Sequence, residues 1–433
     1  MDIHKIFPVF LFIIFIFFSK CNTTEPPDKG TLTLTFEDAS CTEIWLTLTT
    51  ENLQLPTTIE LKQDDQTRSI INLVKPDTLL YMDSLLPSQT YKFHASMQTN
   101  NHASNELSVT TMDTTSHNFS FISYQFGEHS SSTLYDVAII DENNIWAVGE
   151  IYMNDSLGQP DPMPYNAVHW DGTSWDTMRI PTKTFSGTIV SSVIRTIFYF
   201  NENDIWTFSI AGSYSHWNGN NWETEFVNER DGTGIKLWGT SSTDLYLGCS
   251  NGGITFYNGI KWQKITSGTN LDIYDIWGKY NSTIGEYEII AVAAEVGVSF
   301  EKKILRINMN GSVTSLPTEG IPYSIHGIWF KGKNYFVVGS GMYKKYDINS
   351  SANWTAIHQG ISNYYIETIR GNDLNNIIAC GAFGELLHFN GISWKSYVNI
   401  TSINGSIGGK IKGNTICCYG FNDSKAIVII GRR

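Results

Sequence analysis

Hydrophobic positions in the second part of this chain gather into short runs separated by polar, turn-forming pieces. The stretch Ile235–Gln263, IKLWGTSSTDLYLGCSNGGITFYNGIKWQ, shows the unit clearly. Three runs rich in Leu, Ile, Tyr and Phe are separated by Ser-Ser-Thr-Asp, Ser-Asn-Gly-Gly and Asn-Gly, and Trp262 opens a fourth. Runs of this length, bounded by Gly and Asn, predict β-strands joined by tight turns. The second run recurs as Ile145–Gly149, Ile205–Ser209, Leu245–Cys249, Ile289–Ala293, Tyr335–Gly339, Ile377–Gly381 and Ile416–Gly420. These strands are apolar almost throughout, the pattern of strands covered on both faces. Their fifth position is always small, as a close approach between neighbouring units near a common axis would require.

Four strands per unit at a period near forty residues predict a β-propeller and exclude a helical solenoid. First strands precede the recurring runs, as in Ile273-Tyr-Asp-Ile-Trp-Gly, Ile325-His-Gly-Ile-Trp-Phe and Ile366-Glu-Thr-Ile-Arg-Gly. Hairpins follow on Asp171-Gly172, Asn218-Gly219, Asn258-Gly259, Asn310-Gly311 and Asn390-Gly391, pairs that accept the positive φ of tight β-turns. Trp175, Trp222, Trp262, Trp354 and Trp394 then open the outer strands and read as plugs between units. The last repeat ends after three strands, whereas Phe119–Phe126 stands alone before the first. Pairing it with Ala426–Ile430 would give seven blades and close the ring, removing exposed strand edges.

Residues 30–113 read differently. Thr31–Phe36 and Glu43–Thr49 alternate, and with Thr57–Lys62, Ser69–Leu73, Asp77–Met82, Leu85–Ala95 and Leu107–Thr111 they make seven short strands, which predict a β-sandwich. Trp45 in the second strand and Leu86-Pro87…Tyr91 before the sixth resemble the fibronectin type III family. The resemblance implies a spacer or adhesive module. The expected fold class is therefore all-β, a fibronectin type III-like sandwich followed by a seven-bladed propeller over 118–433.

The apolar run Ile6–Phe18, after a short polar start, predicts a signal peptide over 1–20 rather than a membrane span. Phe18-Ser19-Lys20-Cys21 and the polar tether 21–29 resemble a bacterial lipoprotein signal, with Lys20 where that family prefers a small residue. The resemblance implies export, a lipid on Cys21, and a membrane-anchored protein facing the periplasm or the cell surface.

Composition narrows the function classes. The chain has 433 residues, a net charge of −13, 13% aromatic and 16% charged residues. No basic run occurs, so a nucleic-acid partner is not expected. Phosphate-binding Gly-rich motifs and Gly-x-Ser-x-Gly are absent. The remaining cysteines, Cys41, Cys249, Cys380, Cys417 and Cys418, form no C-x-x-C and read as small core residues. No cofactor or metal is expected, and a monomer is.

The repeat phrase Leu245-Tyr-Leu-Gly-Cys-Ser-Asn-Gly-Gly-Ile-Thr-Phe-Tyr…Trp262 resembles two bacterial families, the sensor propellers of two-component regulators and the YCF48/BNR-like repeat propellers. Propeller ligands sit at one mouth of the channel. Two insertions fall on one rim: Ile151–Tyr165, carrying Tyr152, Asp155 and Tyr165, and Pro181–Val193. Long loops on a rigid scaffold carry function. Just after the leading apolar residue, the first strands contribute Tyr135, Arg195, Lys236, Tyr274, His326 and Glu367, with Asp136 and Asp275 one further on and Glu150 nearby. These are the candidate ligand-binding residues, and no catalytic residue is assigned. Recognition of a glycan, peptide or protein partner is the expected function. The alternatives are a glycan hydrolase using rim carboxylates, which would need a positioned acid and base, and a structural part of a surface assembly.

Overall fold

The computed structural model describes residues 30–97, 102–282, 285–295, 300–398 and 403–433. The expected signal peptide, the tether and Cys21 lie outside them. Contacts divide the chain into two compact units. One comprises the described residues up to 36 with 46–80 and 91–108; the other comprises 37–45, 81–90 and 109–433.

Between residues 31 and 110 the strands form two sheets. Thr31–Ala39, Ile44–Glu51 and Asp77–Met82 pair in that order, and Gln66–Leu73, Thr57–Gln63, Thr90–Met97 and Leu107–Thr110 form the second. Alternate residues are buried, as the two-residue strand period demands: Leu32 and Leu34, Leu46 and Leu48, Ile59 and Leu61, Phe93 and Ala95. Trp45 is buried. The packed leucine before Pro87 is Leu85, at 5% exposure, whereas Leu86 is 65% exposed.

Among the described residues, the repeat region holds seven four-stranded antiparallel sheets. Their first strands are Thr133–Asp141, Ile194–Asn201, Gly234–Ser241, Asp272–Asn281, Ile325–Lys331, Ile366–Asp373 and Ile407–Lys412. In the seventh sheet the outer strand comes from before the first. Ser120–Phe126 runs antiparallel to Lys425–Arg432, from Ala426 opposite Phe126 to Arg432 opposite Ser120.

Apolar clusters join consecutive sheets. One combines Ile145 and Val168 of the first with Cys417 and Val428 of the seventh, and another joins Ala147's neighbours Trp146 and Val148 to Ile197 and Ile205 of the second. The recurring tryptophans pack into these clusters: Trp175, Trp222, Trp262, Trp354 and Trp394 each lie against one. Cys249, Cys380, Cys417 and Cys418 are fully buried free thiols within them or beside them.

The Trp-Gly pairs of the first strands have a geometric cause. The indole of Trp238 lies where a Cβ on Gly278 of the next sheet would stand, and Trp329 does the same at Gly371. Between them, Trp277 meets Phe330 at the equivalent position, stays half-buried, and donates from Nε1 to the Phe330 carbonyl at 3.2 Å.

Two expectations change. The small fifth position is crowded from within its own sheet: a Cβ at Gly149, Gly339, Gly381 or Gly420 would collide with the carbonyl of Thr133, Ser324, Tyr365 or Ser406, where the first strand of the same sheet begins. In the hairpins only the glycine takes positive φ, for example 93° at Gly219 and 84° at Gly259. The preceding side chain instead accepts backbone hydrogen bonds: Asn258 Oδ1 takes those of Ile260 and Lys261, each at 3.0 Å, forming an Asx-turn.

Candidate functional site

Each first strand in six of the seven sheets carries one extra residue near its start, where the ladder with the second strand slips. The bulged residues are Tyr135, Arg195, Ile235, Tyr274, His326 and Glu367. A bulge frees its residue from the paired faces of the sheet and re-aims it. All six line one cavity of about 290 Å³, which we call the upper mouth because the first strands begin there.

Lys236, expected in this ring, stands one register position deeper. It pairs opposite Gly248 as Asp136 pairs opposite Val148, and Ile235 holds the ring position. The leading position of that strand is Gly234, where the Phe208 ring occupies the space a Cβ would need. Ile235 therefore imitates the apolar residue that leads the other strands.

The seventh sheet has no bulge. Its ring position is Gly408, and the Tyr419 ring fills the place of its missing side chain. Tyr419, Ser406 and Thr133 also line the cavity and were not legible as site residues. The only signal for Tyr419 is the Gly408-Gly409 pair, which leaves room that something must fill.

Ring neighbours hold one another. The Arg195 guanidinium lies 4.4 Å over the Tyr135 ring. His326 stacks on Tyr274 at 4.4 Å and, through Nδ1, bonds the Glu367 carbonyl at 2.9 Å. That carbonyl can only accept, so Nδ1 carries the proton. The Glu367 carboxylate accepts from the Ser406 hydroxyl. Glu150 accepts from Tyr135 and from Tyr152, both at 3.0 Å. Burial raises both phenols above their ordinary pKa, followed by the charge of Glu150 at Tyr135 and the hydrogen bond to Glu150 at Tyr152, so they remain donors. Burial and then Asp272 raise Tyr274 likewise.

Asp155 and Tyr165 are not brought to this site. Asp155 Oδ1 accepts from the amides of Leu157 and Gln159 within its own loop, at 2.8 and 2.9 Å. Tyr165 lies under the Arg179 guanidinium at 3.9 Å, and Arg179 pairs with Asp161.

Beneath the ring lies a charged layer. Asp136 receives Lys236 at 3.0 Å and Lys410 at 2.8 Å, together with the Thr196 hydroxyl and the amides of Val137 and Ile197. Burial alone would raise this carboxyl, but the two ammoniums hold it well below the usual range. Asp275 receives both terminal nitrogens of Arg370, at 2.8 and 2.6 Å, and the amides of Ile276 and Ile328. The same depth in other sheets uses hydroxyls: Thr196 accepts from the Leu237 amide at 3.1 Å and Thr368 from Gly409 at 2.9 Å. At this register position Asp136, Thr196, Asp275 and Thr368 tie each first strand to the next, whereas Lys236 reaches back to Asp136. Asp136 and Asp275 are therefore committed to the scaffold rather than available as acid or base. Among the described residues, no group of three or more His, Cys, Asp or Glu is placed to hold a metal.

No protein-family model and no curated protein matches the sequence. Solved structures do match the fold. One is described as YCF48 bound to D1 peptide, with 16% identity and a TM-score of 0.53, covering 72% of this chain and 97% of that one. Another, YCF48 from Cyanidioschyzon merolae, has 15% identity and a TM-score of 0.51, covering 71% and 98%. At such identities the likeness speaks for fold alone: the repeat region is an all-β, β-propeller structure similar to these proteins.

Proposed function

We propose that the upper mouth is a recognition site for a peptide or protein segment, presented by a closed propeller of seven blades. The observation that carries this reading is that equivalent bulge positions hold unlike chemistry. A cation (Arg195), a carboxylate (Glu367), a phenol pair (Tyr135, Tyr274), an imidazole (His326) and an aliphatic side chain (Ile235) face one cavity. Packing between sheets does not require these choices. An extended peptide presents alternating polar and apolar groups that such a surface can meet, and the peptide-bound structural neighbour supports this class of ligand for the fold.

The remaining elements fit a presenting role. The pairing of Ser120–Phe126 with Lys425–Arg432 supports closure of the ring. The first-second-fifth and fourth-third-sixth-seventh strand orders support a fibronectin type III-like spacer over 30–113. With a lipid on Cys21, the protein would recognise its ligand at the cell envelope or surface. Metabolic labelling with a fatty acid that survives in Cys21→Ala would overturn the anchor.

The recognition reading is tested by screening the full chain against peptides and glycans, with every bound species weighed by mass spectrometry. A peptide recovered unchanged supports it. Time-dependent cleavage of a glycan, lost in Glu150→Gln or Glu367→Gln, would establish the hydrolase alternative instead.

A further inference from the structure

At their other ends the first strands line a second cavity, of about 380 Å³, whose chemistry is unlike that of the upper mouth. Its lining residues, all described, include five cations and no Asp or Glu. Between the two cavities the charged layer supplies only two carboxylates, Asp136 and Asp275. Asp275 is matched by Arg370. Asp136 is shared by Lys236 and Lys410, which leaves one ammonium in excess within a partly buried layer. Lys412 adds another: its Nζ donates to the Ile140 carbonyl at 2.6 Å and the Tyr199 hydroxyl at 3.1 Å, both neutral. Lys279 stands exposed at the rim. In a chain of net charge −13, this mouth concentrates positive charge against low-dielectric walls, where it acts most strongly on an anion.

The walls themselves are aromatic. Phe198, Tyr199, Trp238 and Trp277 line the cavity. Trp238 is seated on Gly278, but Trp277 has no glycine to occupy, because Phe330 stands there, and it remains half-buried at the cavity. One cavity thus holds an excess of ammonium at Lys410 and Lys412 and, on its wall, an indole that no glycine seats and over which the Arg370 guanidinium lies at 5.1 Å, features suited to two halves of a ligand. Small-molecule sites of this size combine apolar walls with a few convergent polar groups.

We infer that the lower mouth binds a small organic anion, one carboxylate on a flat apolar or aromatic body, with the carboxylate at Lys410 and Lys412 and the body against Trp277. This inference stands independently of the peptide reading of the upper mouth, since the charged layer separates the two cavities.

The test uses the full chain and 3-phenylpropionate as probe, with 3-phenylpropanamide and inorganic phosphate as comparisons. Binding is read by calorimetry and by tryptophan fluorescence. The acid should bind about tenfold or more tighter than the amide, the difference a charge-assisted contact confers, and tighter than phosphate. Lys410→Met and Lys412→Gln should each weaken the acid and leave the amide unchanged. Arg195→Ala, at the other mouth, should leave both unchanged. Lys412 is exposed, so its variant keeps the test valid if Lys410→Met does not fold, which thermal melting reports. No binding of the acid, equal binding of acid and amide, phosphate binding as tightly as the acid, or indifference to Lys412→Gln would each overturn the inference.

Discussion

The two mouths are built from opposite ends of the first strands, seven of which line the upper and six the lower, yet they treat sequence differently. At the upper mouth the ladder slips in six sheets, and the residue released by each slip differs from sheet to sheet. In mid-strand the ladder stays in register through Trp238, Trp277 and Trp329, with a glycine of the neighbouring sheet under Trp238 and Trp329, and it slips again at the lower end in four sheets. A side chain outside the ladder is free to vary with a ligand. A side chain inside it varies only at the cost of its neighbours, so its exceptions, such as Phe330, are informative. The charged layer between them belongs to both.

That layer should give the largest effect. Asp136→Ala leaves two ammoniums without their carboxylate and should cost about 3–5 kcal/mol in urea unfolding, the range for breaking a buried ion pair. An unmoved midpoint would show that the layer does not hold the strands. The pH dependence follows from the same contacts. The folded carboxyl of Asp136 is depressed, so its contribution is present above the unfolded carboxylate pKa and lost as pH falls toward the folded value. Wild type should therefore lose more stability than Asp136→Asn between about pH 4 and pH 2.

Next in size is the contrast between locked and released positions. Gly278→Ala pushes a methyl into the Trp238 indole and should cost about 1–3 kcal/mol by overpacking. Ile235→Ser, at an upper-mouth bulge, should stay within about 0.5 kcal/mol. Equal costs at the two sites would break the distinction. Burial, then the charges of Lys236 and Arg370 working against the attraction of Asp136, lowers Lys410 from 10.5 to about 8. The unfolded lysine then holds more protons than the folded one over that interval, so stability should rise with pH from about 8 toward 10.5. NMR of methylated lysines should show a resonance titrating in this low range that is absent in Lys410→Met. A modest effect belongs to neither mouth: Asn258→Ala removes two turn hydrogen bonds and should cost about 0.5–1.5 kcal/mol, with ligand binding unchanged.

The strands and their grouping in fours were legible because their period is written in packing residues. Turn glycines, apolar second strands and outer tryptophans recur for reasons that operate within one or two sheets. Five of the six ring positions were legible for the same reason, since each follows an apolar leader. Ile235 was not, because Phe208 does the work of the missing leader from another strand. The crowding at Gly149 and Gly381 was visible as a small residue, but its source lay in a carbonyl of the same sheet. Lys410 and Arg370 were invisible as partners of Asp136 and Asp275, because pairing across the channel leaves no spacing in the chain. Asp155 and Tyr165 sat in a loop whose own turn and Arg179 account for them.

The measurement that bears most directly on the central claim is the affinity of a selected peptide for variants of the upper mouth. A peptide selected on the full chain from a random library would be measured by calorimetry against wild type, Arg195→Ala, His326→Ala and the exposed control Lys264→Ala. The account predicts a loss of about tenfold or more for the first two variants, no change for the control, and a peptide of unaltered mass afterwards. Undiminished binding to both Arg195→Ala and His326→Ala would contradict it.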